Sequence, residues 1–180
     1  IDGLIQLSDE KNSPQERNKK NALASKSGVE TFRDGKSFRV GDLGLEAIHT
    51  PGHTAGLTSF ALKHDGRREV FTGDVLLPSN TPNIGGADMR VDRPLEQYIA
   101  SLKRLARGSF DHAWPGHRDP IANPTDRSAA VITHHRDRAV AILELLRQKG
   151  SASIWELGTE VFGKLSGWDI LLAVGEVDAH

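Results

Sequence analysis

The tripeptide Pro-Gly-His occurs twice in this sequence, in "TPGH" ending at His53 and in "WPGH" ending at His117. Between them, "EVFTGD" ends at Asp74. All three stretches follow one plan: an apolar run, a tight glycine turn, then a side chain able to bind a metal ion. Glycine permits the sharp reversal, and a preceding proline fixes one dihedral of it, so the imidazole or carboxylate is presented from a stiff frame. Open α/β sheets bind ligands just beyond strand ends. If the three strands are neighbours, two imidazoles and a carboxylate converge. That donor set suits Zn, Fe or Mn, and the carboxylate can bridge two ions. Taken singly, a histidine after Pro-Gly is more often a surface turn residue, and Gly-Asp is a common turn opening. Spacings of 21 and 43 residues are no local ligand motif, so the weight rests on the triple coincidence.

Such turns need strands to carry them. From Thr31 onward, short apolar runs alternate with turn dipeptides. "ETFRDGKSFRV" reads as a hairpin around Asp34-Gly35, and "LGLEAIHT", "LTSFAL" and "REVFTGD" read as strands. A loop rich in Gly, Pro and Asn occupies residues 75 to 92. Behind Pro94, the residues Leu95, Tyr98, Ile99, Leu102 and Leu105 keep helical spacing, and Gly108 supplies the stop. "FDHAW" reads as one more strand. Past His117 the pattern is helical. Asn123-Pro124 is a start signal, Ile132, His135, Ala139, Ile142, Leu143 and Leu146 form one stripe, and Gly150 ends it. Ser153 with Glu156 opens a short helix, and "WDILLAVGEV" reads as another. Residues 1 to 27 are polar and charged, and read as a solvated loop and surface helix.

The chain has 180 residues, 37% hydrophobic and 26% charged, in the range of one globular domain with or without a small appendage. A formal charge of -1 argues against a dedicated nucleic-acid or membrane-surface binder. With no cysteine there is neither a disulfide nor thiolate chemistry, and any metal site must use His, Asp or Glu. A reducing, cytoplasmic compartment is the expectation. No apolar run approaches the roughly 18 residues of a membrane span, and "IDGLIQLSDE" lacks the basic and apolar regions of a signal peptide.

In this order, "HTPGHTAG", "FTGD" and "PGH" followed by a helix resemble the second half of the metallo-β-lactamase-fold hydrolases, a superfamily that includes glyoxalase II, lactonases, thioesterases and some nucleases. The likeness covers roughly residues 30 to 150. The tail "ITHHRDRAVAILELLRQKGSASIWELGTEVFG" resembles the branch bearing a C-terminal winged-helix-like extension. The resemblance implies an α/β fold: half of an αββα sandwich, a mostly antiparallel or mixed sheet with flanking helices, over residues 1–122, and a small helical appendage over residues 123–180. By the family pattern His53 is the third histidine on a first metal, Asp74 bridges both metals, and His117 serves the second. The implied cofactor is zinc, two ions in the complete enzyme, with Fe or Mn as alternatives, and the implied partner is a small-molecule substrate.

The family's main signature, His-x-His-x-Asp-His, is absent, because the histidines stand only at 49, 53, 64, 112, 117, 134, 135 and 180. The chain also begins at Ile1 without a methionine. It is therefore expected to be the C-terminal part of a longer protein. As given, these residues are expected to bind metal weakly and to hydrolyse little or nothing. The alternative is a non-catalytic interaction or dimerisation domain whose turn histidines are relics.

The loop "LPSNTPNIGGADMRVDRP" follows Asp74, where related enzymes build part of the substrate pocket. There Asn83, Arg90 and Arg93 are candidates to contact a polar or anionic substrate, against the plainer reading as connecting residues. His135, on the apolar stripe, reads as a core or interface histidine, and His134 as solvent-facing. His49 and His112 lie within strands and read as structural. Trp114, Trp155 and Trp168 read as core or interface anchors. Residues 151 to 180 carry one basic residue, Lys164, against five acidic ones, the wrong sign for phosphate contacts. The tail is therefore read as a packing or homodimerisation element that also walls the cleft.

Overall fold

Alternating apolar side chains between Leu43 and Gly73 produce three strands of seven residues each, β2 (Leu43–His49), β3 (Thr58–His64) and β4 (Arg67–Gly73). In the computed structural model, which describes residues 31–86 and 88–180, a short β1 (Ser37–Val40) precedes them. Helix α1 (Pro94–Arg107), strand β5 (His112–Pro115) and the helices α2 (Pro124–Lys149), α3 (Ile154–Phe162) and α4 (Trp168–Ala179) follow. The loop and surface helix expected over residues 1–27 lie outside the described residues.

The five strands form one sheet in sequence order. Strands β1 to β4 are antiparallel neighbours, and β5 runs parallel to β4 after the crossover through α1. The hairpin expected at Asp34-Gly35 is displaced. The pair β1–β2 turns at Gly41-Asp42, and residues 31–33 form no strand. Both dipeptides suit a turn, and tertiary bonds decide between them. The carboxylate of Asp34 accepts from the backbone of His49 at 2.8 Å and pairs with Arg104 at 2.8 Å, so the first turn ties β1 to the core.

Period-two alternation gives the sheet two different faces. Ile48, Ala61, Val70 and Ala113 share one face by register, and pack in the main core with Tyr98, Leu102 and Leu105 of α1 and Val131 of α2. The opposite face carries Phe38, Leu45, Phe60, Phe71 and Trp114. The ring of Phe32 lies against Phe38 at 5.0 Å, while Phe71 and Trp114 stay 43% and 38% exposed. A sheet with helices on one side and a half-exposed apolar layer on the other is one leaf of a sandwich, the α/β arrangement expected.

The helices begin and end at their sequence signals. Asn123 caps α2 by accepting from the backbone of Asp126, Gly150 closes it, and Ser153 with Glu156 forms a complete capping box on α3. Helix α2 serves two clusters, the main core through Val131 and a smaller one in which Ile142 meets Leu157 and Val177. Leu143, expected on the buried stripe, is 47% exposed, because it lies about 100° around the helix from Ile142. Trp155 and Trp168 are not core anchors: they are 48% and 76% exposed. After β5 the described residues form no further strand, so the tail consists of helices. Among the described residues no helix is long and apolar enough to cross a membrane.

Candidate metal centre

The parallel pairing of β4 with β5 brings the second and third turns together. The backbone N–H of Gly116 donates to the carbonyl of Gly73 at 2.8 Å, which sets Asp74 and His117 side by side. His117 Nε2 lies 3.5 Å from Asp74 Oδ1, and its ring is 71% exposed. A Cβ at position 116 would stand 2.6 Å from that same Oδ1, so glycine there makes room for the carboxylate.

The first turn arrives from β2 and is pressed onto α1. Gly52 adopts φ 133°, and a Cβ on it would lie 2.5 Å from Tyr98 Cα, so only glycine fits. Ser101 of α1 donates to the carbonyl of Pro51 at 2.8 Å. His49 ends β2 with its Nε2–H donating to the carbonyl of Ala55 at 2.9 Å, which closes the loop around His53, and burial lowers its pKa. The structural role expected for His49 is thus to shape this turn.

These supports put His53 Nε2 4.0 Å from Asp74 Oδ2, opposite the oxygen that faces His117. The other ring nitrogen of His53, Nδ1, lies 2.8 Å from the carbonyl of Asn83. A carbonyl only accepts, so the proton sits on Nδ1, and in the neutral ring Nε2 keeps its lone pair toward Asp74. Asp74 is flanked by two imidazoles, yet its Oδ1 is shielded from water and has no hydrogen-bond partner among the described residues. An unpaired buried carboxylate oxygen costs free energy that a cation would recover. Two imidazole nitrogens and two carboxylate oxygens of one group are the donors that a divalent ion such as zinc takes, so the residues fit the implied metal.

The loop residues named for substrate are engaged separately. Asn83 turns its side-chain amide to α4, donating to the carbonyl of Leu172 at 2.8 Å and to Glu176 at 3.1 Å. Arg90 grips Asp88 through Nε at 2.7 Å and Nη2 at 2.8 Å. Arg93, at φ 46° where α1 begins, pairs with Glu96 at 2.7 Å. Both guanidinium groups lie at the surface.

Sequence reasoning missed Asp88 and Glu176. Asp88 is buried and also accepts from the backbone of Ala55 at 2.9 Å, so it anchors the His53 turn, and the Arg90 guanidinium holds its carboxyl well below the usual range. Glu176 is 3% exposed and binds the loop after Asp74 from α4. A single acidic residue in a loop or on a helix gives no signal of either role in sequence. A cleft of about 340 Å³ opens between this loop and the tail, lined by Asn83, Arg138, Phe162, Lys164, Leu172 and Glu176. His135, expected as a core or interface histidine, is buried, 1% exposed. Its Nδ1 lies 3.0 Å from His180 Nε2, and His180 Nδ1 donates to the carbonyl of Glu176 at 2.6 Å.

Comparison with known proteins assigns the chain. The profile of the Metallo-beta-lactamase superfamily matches residues 6–117, and the chain belongs to that superfamily. A thioesterase (pkgB) of Emericella nidulans is 30% identical over 119 residues, 66% of this chain and 32% of its own length. A probable hydroxyacylglutathione hydrolase (glo2) of Schizosaccharomyces pombe is 36% identical over 104 residues, 57% of this chain and 39% of its own. The crystal structure of a metallo-beta-lactamase family protein from Thermus thermophilus superposes with a TM-score of 0.71 at 31% identity, covering 84% of this chain and 47% of that one. The chain thus spans less than half the length of each of these three relatives, and the first two are named as hydrolases.

Proposed function

We propose that this chain is part of a metal-dependent hydrolase acting on a small-molecule ester, thioester, lactone or phosphodiester, with His53, Asp74 and His117 as its share of a two-metal site. The observation that carries it is the shielded Asp74 Oδ1, unpartnered between two imidazoles that converge on one carboxylate. In this assignment His53 and Asp74 would hold the first ion, and Asp74 and His117 the second. Zinc is the metal these donors suit best, and what such ions supply when bound is Lewis-acid activation of water and polarisation of the scissile oxygen. The protein's own part is to fix the ligands: the Asn83 carbonyl holds the His53 tautomer, and Gly116 leaves room for Asp74.

Arg90, Arg93 and Asn83 belong, in the same proposal, to the substrate side of the site. The tail walls the cleft, as the lining of α4 and the α3–α4 connection supports. We divide the chain at residue 122 into a partial metallo-β-lactamase-fold domain and a helical extension, and place the protein in the cytoplasm, in keeping with its lack of cysteine. A homodimer through α4 is favoured by the exposure of Trp168, Ile170 and Leu171.

The test is hydrolysis of an ester, a thioester, a lactone and a phosphodiester by the full-length protein. Turnover of at least one, abolished by chelation and by Asp74→Asn, is the expected result. No turnover of any of the four by metal-loaded protein contradicts the proposal.

A further inference from the structure

We propose that Glu176 on α4 is a positioning residue for His53, acting through the Asn83–Ile84 segment, so that the last helix holds a metal-ligand ring in its binding orientation. The proposal rests on His53 being a ligand. Its starting point is the 2.8 Å contact of His53 Nδ1 with the Asn83 carbonyl. A metal-binding histidine depends on the acceptor of its second nitrogen for tautomer and ring angle. That acceptor belongs here to a loop, and it orients the ring only as firmly as the loop is held.

The loop is held from α4. Glu176 Oε2 accepts from the backbone of Ile84 at 2.8 Å and from Asn83 Nδ2 at 3.1 Å. The same Asn83 amide donates to the carbonyl of Leu172 at 2.8 Å, and Asn83 Oδ1 accepts from the backbone of Gly86 at 3.0 Å. Loop and helix meet backbone to backbone. A Cβ on Gly175 would lie 2.3 Å from Gly86 N, and one on Gly85 would lie 2.4 Å from the carbonyl of Gly175. No side chain separates them, so the Asn83 carbonyl sits where α4 puts it. The second carboxylate oxygen of Glu176 takes Arg138 of α2, which balances the buried charge and ties α2 as well as α4 to the loop.

A competing use of Glu176 is as a metal ligand with His135 and His180, whose donor atoms lie within 4.8 Å of one another. Its oxygens, however, already accept from three donors, and the Arg138 guanidinium stands where a cation would be repelled. The tautomers are also settled without an ion. His180 donates from Nδ1 to the Glu176 carbonyl, so its Nε2 accepts the proton of His135 Nδ1.

The experiment uses the full-length protein with the variants Asn83→Ala, Gly175→Ala, Glu176→Ala and Glu176→Gln. Zinc affinity is measured by chelator competition, and the imidazole N–H protons are observed by NMR in the metal-free protein. Wild type is expected to show a slowly exchanging imidazole proton that His53→Gln lacks. Asn83→Ala, Gly175→Ala and Glu176→Ala are expected to lose or broaden it and to bind zinc about 10–100-fold more weakly. Glu176→Gln, which keeps an oxygen for Ile84, is expected to recover most of both. Asn83→Ala and Gly175→Ala leave Arg138 its partner, so they read the link even if Glu176→Ala does not fold. Zinc affinity within about twofold of wild type in those two variants, with the proton retained, overturns the proposal. Unchanged affinity in His53→Gln would instead sink the ligand assignment on which it rests.

Discussion

At the scale of single residues, the turns that carry His53 and His117 depend on glycines for different reasons, and the difference is measurable. Gly52→Ala puts a methyl group 2.5 Å from Tyr98 Cα at a φ of 133°, so strain and overpacking act together. It is expected to destabilise by about 2–4 kcal/mol in chemical denaturation. Gly116→Ala meets chiefly the Asp74 carboxylate, which can rotate away, and approaches the Gly73 backbone no closer than 3.3 Å. Its expected effect is on function: about a tenfold loss of zinc affinity, within the 10–100-fold typical of changes around a metal site, with little change in melting temperature. Equal effects of the two on stability would contradict this division. The three ligand candidates were legible because each follows an apolar run and a glycine turn within a few residues. The roles of Asn83, Asp88 and Glu176 were not, since Asn83 meets Glu176 across 93 positions and Ala55 meets Asp88 across 33. No local pattern records such pairs.

Among the elements, the buried His135 of α2 and the partly buried His180 just past α4 make the fold sensitive to acid. Burial, with help from His180 and Arg138, pushes the His135 pKa down to about 3. His134 and His180 shift the same way, both chiefly by burial. The sign follows from proton uptake. Below an unfolded-state pKa of about 6.5 the unfolded chain gains a proton that folded His135 does not, so stability falls as pH drops toward 3. The loss from this group is on the order of 2 kcal/mol by pH 5. Melting curves from pH 7 to pH 4 should therefore fall less steeply for His135→Gln than for wild type, and parallel slopes would refute the assignment. The ends of the helices were legible because caps are local: Asn123, Gly150 and the Ser153–Glu156 box all stand where the sequence puts them. The first hairpin was not, because two turn dipeptides lie close together and the bonds of Asp34 to His49 and Arg104 select between them.

For the whole molecule, the sheet is the informative object. Its helix-covered face is a finished core, while Phe71 and Trp114 leave the other face apolar and half exposed. A second sheet on that face would complete the αββα sandwich of the superfamily. The 180 residues alone are accordingly expected to bind an apolar fluorescent dye strongly, and the full-length protein weakly. Equal dye binding would show that the face is not covered in the longer protein. The class of fold was legible from the alternation of strands and the order of the three turns. The two-sided character of the sheet emerges only when register brings Phe60, Phe71 and Trp114 onto one surface.

His53, Asp74 and His117 are proposed to hold two metal ions together, with Asp74 shared between them. Metal content of the full-length protein after dialysis, for wild type, Asp74→Asn, His53→Gln and His117→Gln, tests it most directly. The account predicts two ions per chain in wild type, a loss at both sites in Asp74→Asn, and a loss at one site in each histidine variant. Wild type without metal, or Asp74→Asn with the full complement, would contradict it.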